Sequence, residues 1–151
     1  MNKGIEATPI QGEGQENLLV LLEDVQRKFG YLSGECLTEV AESLGLSVSD
    51  VYGVATFYSF LSTKPRGRNV IRICKSLPCF MENNHPIIET VEREIGIKPG
   101  ETTPDGMFTL KKVECLGSCD TAPVVQINDD YHEGLTIEGI DKIVDALTEQ
   151  K

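Results

Sequence analysis

At 151 residues the chain can hold one ordinary domain or two small ones, and 40% apolar with 25% charged residues describes a globular protein. A net charge of −10, with the acids spread along the chain, excludes the basic footprint that nucleic acid or anionic lipid requires. No apolar run approaches the ~20 residues of a bilayer span, so no direct membrane insertion is expected. The first fifteen residues carry neither a secretory core nor an Arg-rich presequence, which points to the cytoplasm, at most on the cytoplasmic face of a membrane complex. Thiols stay reduced there, so paired cysteines read as metal ligands or redox groups rather than structural disulfides.

Residues 1–14 read as a flexible arm. From Glu16 the pattern turns helical, with Leu18, Leu22, Val25 and Phe29 on one face and Gly30 closing the helix. Ser33 caps a second helix with a stripe of Leu37, Val40, Ala41 and Leu44, ended by Gly45. Ser47 and Asp50 resemble a capping box for a third, whose buried face is Val51, Val54, Ala55 and Tyr58. Residues 15–62 thus form a three-helix domain. Residues 63–69, Thr-Lys-Pro-Arg-Gly-Arg-Asn, read as a linker; they are the most basic stretch and either a solvated connector or a contact to an acidic partner.

Residues 70–151 alternate differently. Val70–Ile73 is a short strand. A loop after Cys79 leads to a helix begun at Asn84 or His85, with Pro86 in its first turn and Ile88, Val91 and Ile95 as its stripe. Phe108–Glu114 and Val124–Ile127 are strands, Asn128–Asp130 a hairpin turn, Tyr131–Glu133 a fourth strand, and Ile140, Ile143, Val144 and Leu147 mark a last helix. The fold class is α+β, a three-helix bundle followed by a mixed sheet packed by helices.

Two cysteine pairs punctuate the second part. Cys74 and Cys79 have four residues between them, Cys115 and Cys119 three. Cys74 and Cys115 each follow a strand, so adjacent strands would bring all four sulfurs to one end of the sheet. Four thiolates can hold a tetrahedral zinc or an iron–sulfur cluster, and spacing alone leaves both open. Gly117 allows a tight turn that brings N–H groups close to sulfur. The Cys-x-x-Cys of thiol–disulfide enzymes is absent, which ranks that class third.

The run from Phe108 to Pro123, with Glu-Cys-Leu-Gly-Ser-Cys-Asp-Thr-Ala-Pro at its end and Lys98-Pro-Gly-Glu-Thr-Thr-Pro104 before it, resembles the thioredoxin-like [2Fe-2S] subunit of the NADH-oxidising module of respiratory complex I. That family also serves NAD-linked hydrogenases and formate dehydrogenases. The resemblance spans about Glu16 to Leu147 and includes Val54-Ala-Thr-Phe-Tyr58. It implies a thioredoxin-like sheet and one [2Fe-2S] cluster on Cys74, Cys79, Cys115 and Cys119. It also implies a larger flavoprotein partner that binds FMN, NAD(H) and a [4Fe-4S] cluster, together with further iron–sulfur subunits.

The expected function is electron transfer, with single electrons exchanged with the partner's flavin. The parent complex would be an NADH–quinone oxidoreductase, an NAD-linked hydrogenase or a formate dehydrogenase. The alternative is a zinc-stapled interaction module without a redox role. No catalytic residue is expected in this chain, which has no Gly-x-Gly-x-x-Gly fingerprint, P-loop or Ser-His-Asp set. Cys36 reads as a core residue, His85 as a helix-start residue and His132 as an edge-strand residue. Phe57, Tyr58 and Phe60 read as either core or interface.

Overall fold

The computed structural model describes residues 18–149, so the arm expected at residues 1–14 lies outside the described residues. Two compact units divide the chain, Met1–Pro65 and Arg66–Lys151.

The first unit holds α1 (Leu18–Phe29), α2 (Gly34–Leu44) and α3 (Val48–Phe57). The Ser33 hydroxyl accepts from the Cys36 N–H at 3.2 Å at the start of α2. At the start of α3, the Ser47 hydroxyl accepts from the Asp50 N–H at 3.1 Å and donates to the Asp50 carboxylate at 2.6 Å. These caps satisfy donors that the first helical turn leaves unpaired. The stripes meet in one core of Leu18, Leu22, Val25, Leu37, Val40, Ala41, Val51 and Ala55, closed by Leu32 and Leu61 from the connecting segments. Gln26 is buried and clamps the exit of α3. Its amide donates to the Phe60 carbonyl at 2.9 Å and accepts from the Ser62 N–H at 2.6 Å, as a buried polar group requires.

Two aromatic positions depart from the sequence pattern. Phe29 and Tyr58, expected on buried faces, are exposed. Phe29 is the last residue of α1, with the Lys28 ammonium over its ring. Tyr58 lies beyond the end of α3 in extended backbone, which turns it out of the helical stripe.

The second unit runs β1 (Asn69–Cys74), α4 (Leu77–Met81), α5 (His85–Ile95), β2 (Phe108–Val113), β3 (Val125–Ile127), β4 (Asp130–His132) and α6 (Ile137–Glu149). The sheet order is β2-β1-β3-β4. β1 and β2 are parallel, with Cys74 opposite Val113, while β3 is antiparallel to both β1 and β4. The parallel pair needs a long crossover, which α5 provides. Ile71, Ile73, Leu110, Val125 and Ile127 pack with Ile87, Ile88 and Val91 of α5 and with Ile140 and Val144 of α6. Each such side chain contributes about 1.5–3 kcal/mol when fully buried, so the sheet's end is held by a rigid core. This is the mixed-sheet α+β unit the sequence pattern implied.

Gly67 lies close against the β2 backbone. A Cβ there would sit 2.6 Å from the Phe108 carbonyl carbon and 2.7 Å from its nitrogen, and the Gly67 N–H donates to Thr109 Oγ1 at 2.6 Å. The short helix α4 was not expected, and β1 extends one residue further than expected at each end, taking in Asn69 from the expected linker and Cys74.

Candidate metal centre

The parallel pairing of β1 and β2 sends both cysteine-bearing segments out at the same end of the sheet. Cys74 is the last residue of β1, Cys79 lies in α4, Cys115 follows β2, and Cys119 opens a 3₁₀ turn ending at Thr121. A cross-link of backbone and charge ties the two exits together. The Lys75 N–H donates to the Val113 carbonyl at 2.9 Å, and the Lys75 ammonium meets the Glu114 carboxylate at 2.7 Å. The ion pair is solvent-exposed and adds about 1 kcal/mol at most; the backbone bond sets the spacing.

The two thiols of each sequence pair are side by side. The Cys115 and Cys119 sulfurs are 3.2 Å apart, and Cys74 and Cys79 share one buried cluster with Val124. The environments differ sharply. Cys74 and Cys79 are each 1% exposed and pack with Val124, Leu116 and Ala122. Cys115 and Cys119 are exposed. The Ala122–Pro123 peptide beyond them is cis.

Burial and hydrogen bonds set Cys74, Cys79 and Cys119 apart. Burial pushes the Cys74 thiol up, but the Ser76 hydroxyl, 3.0 Å away, and N–H donors of Ser76 and Leu116 outweigh it and bring Cys74 below the ordinary thiol value. Cys79 is pushed up by burial and by its bond to Cys74. Cys119 is pushed up to about 11, first by its hydrogen bond to Cys115, then by partial desolvation and by the charges of Cys115, Cys74 and Cys79. The Gly117 N–H donates to the Cys115 sulfur at 3.4 Å. Gly117 has φ +98°, where a side chain would be strained, so the expected glycine-enabled N–H···S contact is present.

Among the described residues, no three or more His, Cys, Asp or Glu groups gather as ligands of a single ion would. The thiols are grouped as two and two, a donor set that fits two metal atoms with two thiolates each. A [2Fe-2S] cluster bound by four cysteines has that requirement.

A model of the thioredoxin-like [2Fe-2S] ferredoxin family matches residues 2–148. The chain belongs to that family. One NADH-quinone oxidoreductase subunit of Rhizobium meliloti is 38% identical over 97% of this chain and 88% of its own length. The corresponding oxidoreductase subunit of Buchnera aphidicola is 45% identical over 83% of this chain and 77% of its own. An NAD+-reducing [NiFe]-hydrogenase in the H2-reduced state superposes with a TM-score of 0.80 at 21% identity, over 93% of this chain and 23% of the hydrogenase chain. That likeness shows the fold, three helices followed by a thioredoxin-like sheet.

For a thioredoxin-like [2Fe-2S] ferredoxin, three contacts around the thiols lay beyond sequence reasoning. Ser76 reaches Cys74, and Val124 fills the space beside Cys74 and Cys79. Asn84 starts α5, as expected, yet its side chain makes no capping bond; the amide instead donates to the Cys74 carbonyl at 2.6 Å. The Asn-His-Pro run signalled a helix start, and nothing local signalled that distant acceptor. Cys36, half-buried, packs at the margin of the first unit's core and accepts from the Ser33 hydroxyl. His85 is the first residue of α5, and His132 lies on the edge strand β4.

Proposed function

We propose that this chain is an electron-transfer protein that carries one [2Fe-2S] cluster on Cys74, Cys79, Cys115 and Cys119. It exchanges single electrons with the flavin of a partner NAD(P)H-oxidising flavoprotein. The observation that supports this most strongly is the meeting of two thiol pairs at one end of a parallel strand pair, in a chain of an iron–sulfur family. The cluster, when bound, supplies one-electron redox chemistry between thiolate-ligated irons. The chain's own part is geometric and electrostatic. β1 and α5 fix the buried thiol pair, the Gly117 turn presents an N–H to sulfur, and Val124 with Leu116 keeps water from one side.

The chain does no bond-making chemistry of its own. FMN and NAD(H) reside in a larger partner with its own [4Fe-4S] cluster, within a complex holding further iron–sulfur subunits. Relatives at 38% and 45% identity are subunits of NADH-quinone oxidoreductase. This favours that parent complex over the hydrogenase, whose likeness to this chain is one of fold. No helix among the described residues is long and apolar enough to cross a membrane.

In this reading residues 15–62 form the helical domain, residues 63–69 the link and residues 70–151 the cluster domain. Exposed apolar groups on each unit support docking. Phe57, 79% exposed, stacks edge-on with Tyr58 beside Phe60. Leu77, Phe80 and Met81 stand out from α4 next to Cys79. Such patches mark protein contacts.

A tag on this chain is expected to co-isolate an FMN-containing flavoprotein, in which NADH alone produces the EPR signal of a reduced [2Fe-2S] cluster. Isolation without any flavoprotein, or a cluster that dithionite reduces and the co-isolated complex with NADH does not, would refute the proposal.

A further inference from the structure

Asn84 is a buried polar residue whose amide has left its usual work. At a helix start an asparagine side chain ordinarily accepts from the N–H groups of the first turn. Asn84 makes no such bond. It is 3% exposed, and its amide donates to the Cys74 carbonyl at 2.6 Å. Its backbone N–H donates to the Cys79 carbonyl at 3.1 Å, and its own carbonyl accepts from the Ile88 N–H at 3.1 Å as the first bond of α5. One residue therefore grips both members of the buried thiol pair and is itself rooted in α5, where Ile87, Ile88 and Val91 sit in the core.

The Cys74 carbonyl lies where β1 ends. The amides on either side are engaged by β2 and by the residue before β3, with the Cys74 N–H on the Val124 carbonyl at 3.3 Å and the Lys75 N–H on the Val113 carbonyl at 2.9 Å. The Asn84 amide completes that set from a third direction. A buried carbonyl stripped of its donor carries an unrelieved desolvation cost, and backbone relaxation that relieves this displaces the Cys74 Cα from which the sulfur hangs.

We propose that Asn84 is a positioning residue for the [2Fe-2S] centre, locking the Cys74 backbone so that the Cys74 and Cys79 sulfurs are preset for one iron. This rests on the electron-transfer function proposed for the chain. Groups one layer out from metal ligands typically govern affinity by about 10–100-fold, and the effect here is specific to the amide donor.

Two substitutions in the cluster-loaded chain test it. Asn84→Ala removes the side chain, and Asn84→Asp keeps its shape but presents no N–H at neutral pH. Both leave the backbone bond to Cys79 available. Both are expected to raise the rate of iron release to a chelator by about 10–100-fold and to broaden the EPR lines of the dithionite-reduced cluster, with far-UV circular dichroism unchanged. Wild-type release rate and linewidth in both variants would overturn the proposal. So would a wild-type Asn84→Asp beside an impaired Asn84→Ala, since the side chain would then only fill space. Loss of helical signal in both would overturn it as well, making Asn84 a determinant of the fold rather than of the thiol pair. A wild-type chain that never holds iron and sulfide would instead remove the functional reading beneath it.

Discussion

The two thiol pairs are built by opposite means. Cys74 and Cys79 are held by the core: the end of a central strand, a short helix, the Asn84 amide and a lid of Val124. Cys115 and Cys119 stand in an exposed loop whose shape comes from Gly117 and a 3₁₀ turn. One pair is therefore held by the sheet and its core, and the other by a surface loop. In the proposed centre, the buried pair would set its place and the exposed pair would give it access to solvent or to another chain.

That contrast predicts unequal failures. Replacing any one of the four cysteines with serine is expected to abolish the [2Fe-2S] absorption and EPR signals. Urea unfolding of the cluster-free Cys74→Ser and Cys115→Ser chains then isolates what each substitution does to the fold. Cys74→Ser replaces a sulfur packed against Val124, Leu116 and Ala122 with a smaller hydroxyl that keeps its Ser76 and Leu116 partners, and is expected to be the less stable by about 1 kcal/mol. Equal unfolding free energies would break the distinction between the two halves.

Val124→Ala should come next, with a loss of about 2 kcal/mol in the same unfolding assay, by opening a cavity against Cys74 and Cys79. Its cluster should form and then bleach faster in air. Gly117→Ala is smaller in stability, about 1 kcal/mol, because nothing lies within 4 Å of the added Cβ and the cost comes from φ alone. Its mark is on the cluster: a weakened N–H···S bond should lower the reduction potential measured by EPR-monitored titration. A wild-type potential would show that the loop is not tuning the exposed half. Cys36→Ser, at the edge of the other unit's core, should change stability by under about 1 kcal/mol and leave the cluster spectrum untouched.

The contrast also explains what the sequence made legible. Helical stripes, caps at Ser33 and Ser47, and strands of β-branched residues are local signals, and they located the elements of both units to within a few residues. The four cysteines were visible because spacing and the run into Pro123 are written in the chain. α4 escaped because five residues carry no period. Phe29 and Tyr58 obeyed the apolar spacing yet sit at helix ends, where the backbone leaves the stripe. Asn84 escaped for a different reason: its partner is ten residues away and becomes an acceptor only once β1 and α5 have packed.

The central claim is that the two pairs share one dinuclear iron centre. Iron, sulfide and zinc analysis of the purified chain, combined with EPR after dithionite, tests it most directly. Two irons and two sulfides per chain, no stoichiometric zinc, and a signal of one unpaired electron per chain are expected. A colourless protein with one zinc per chain and no signal after reduction would contradict it.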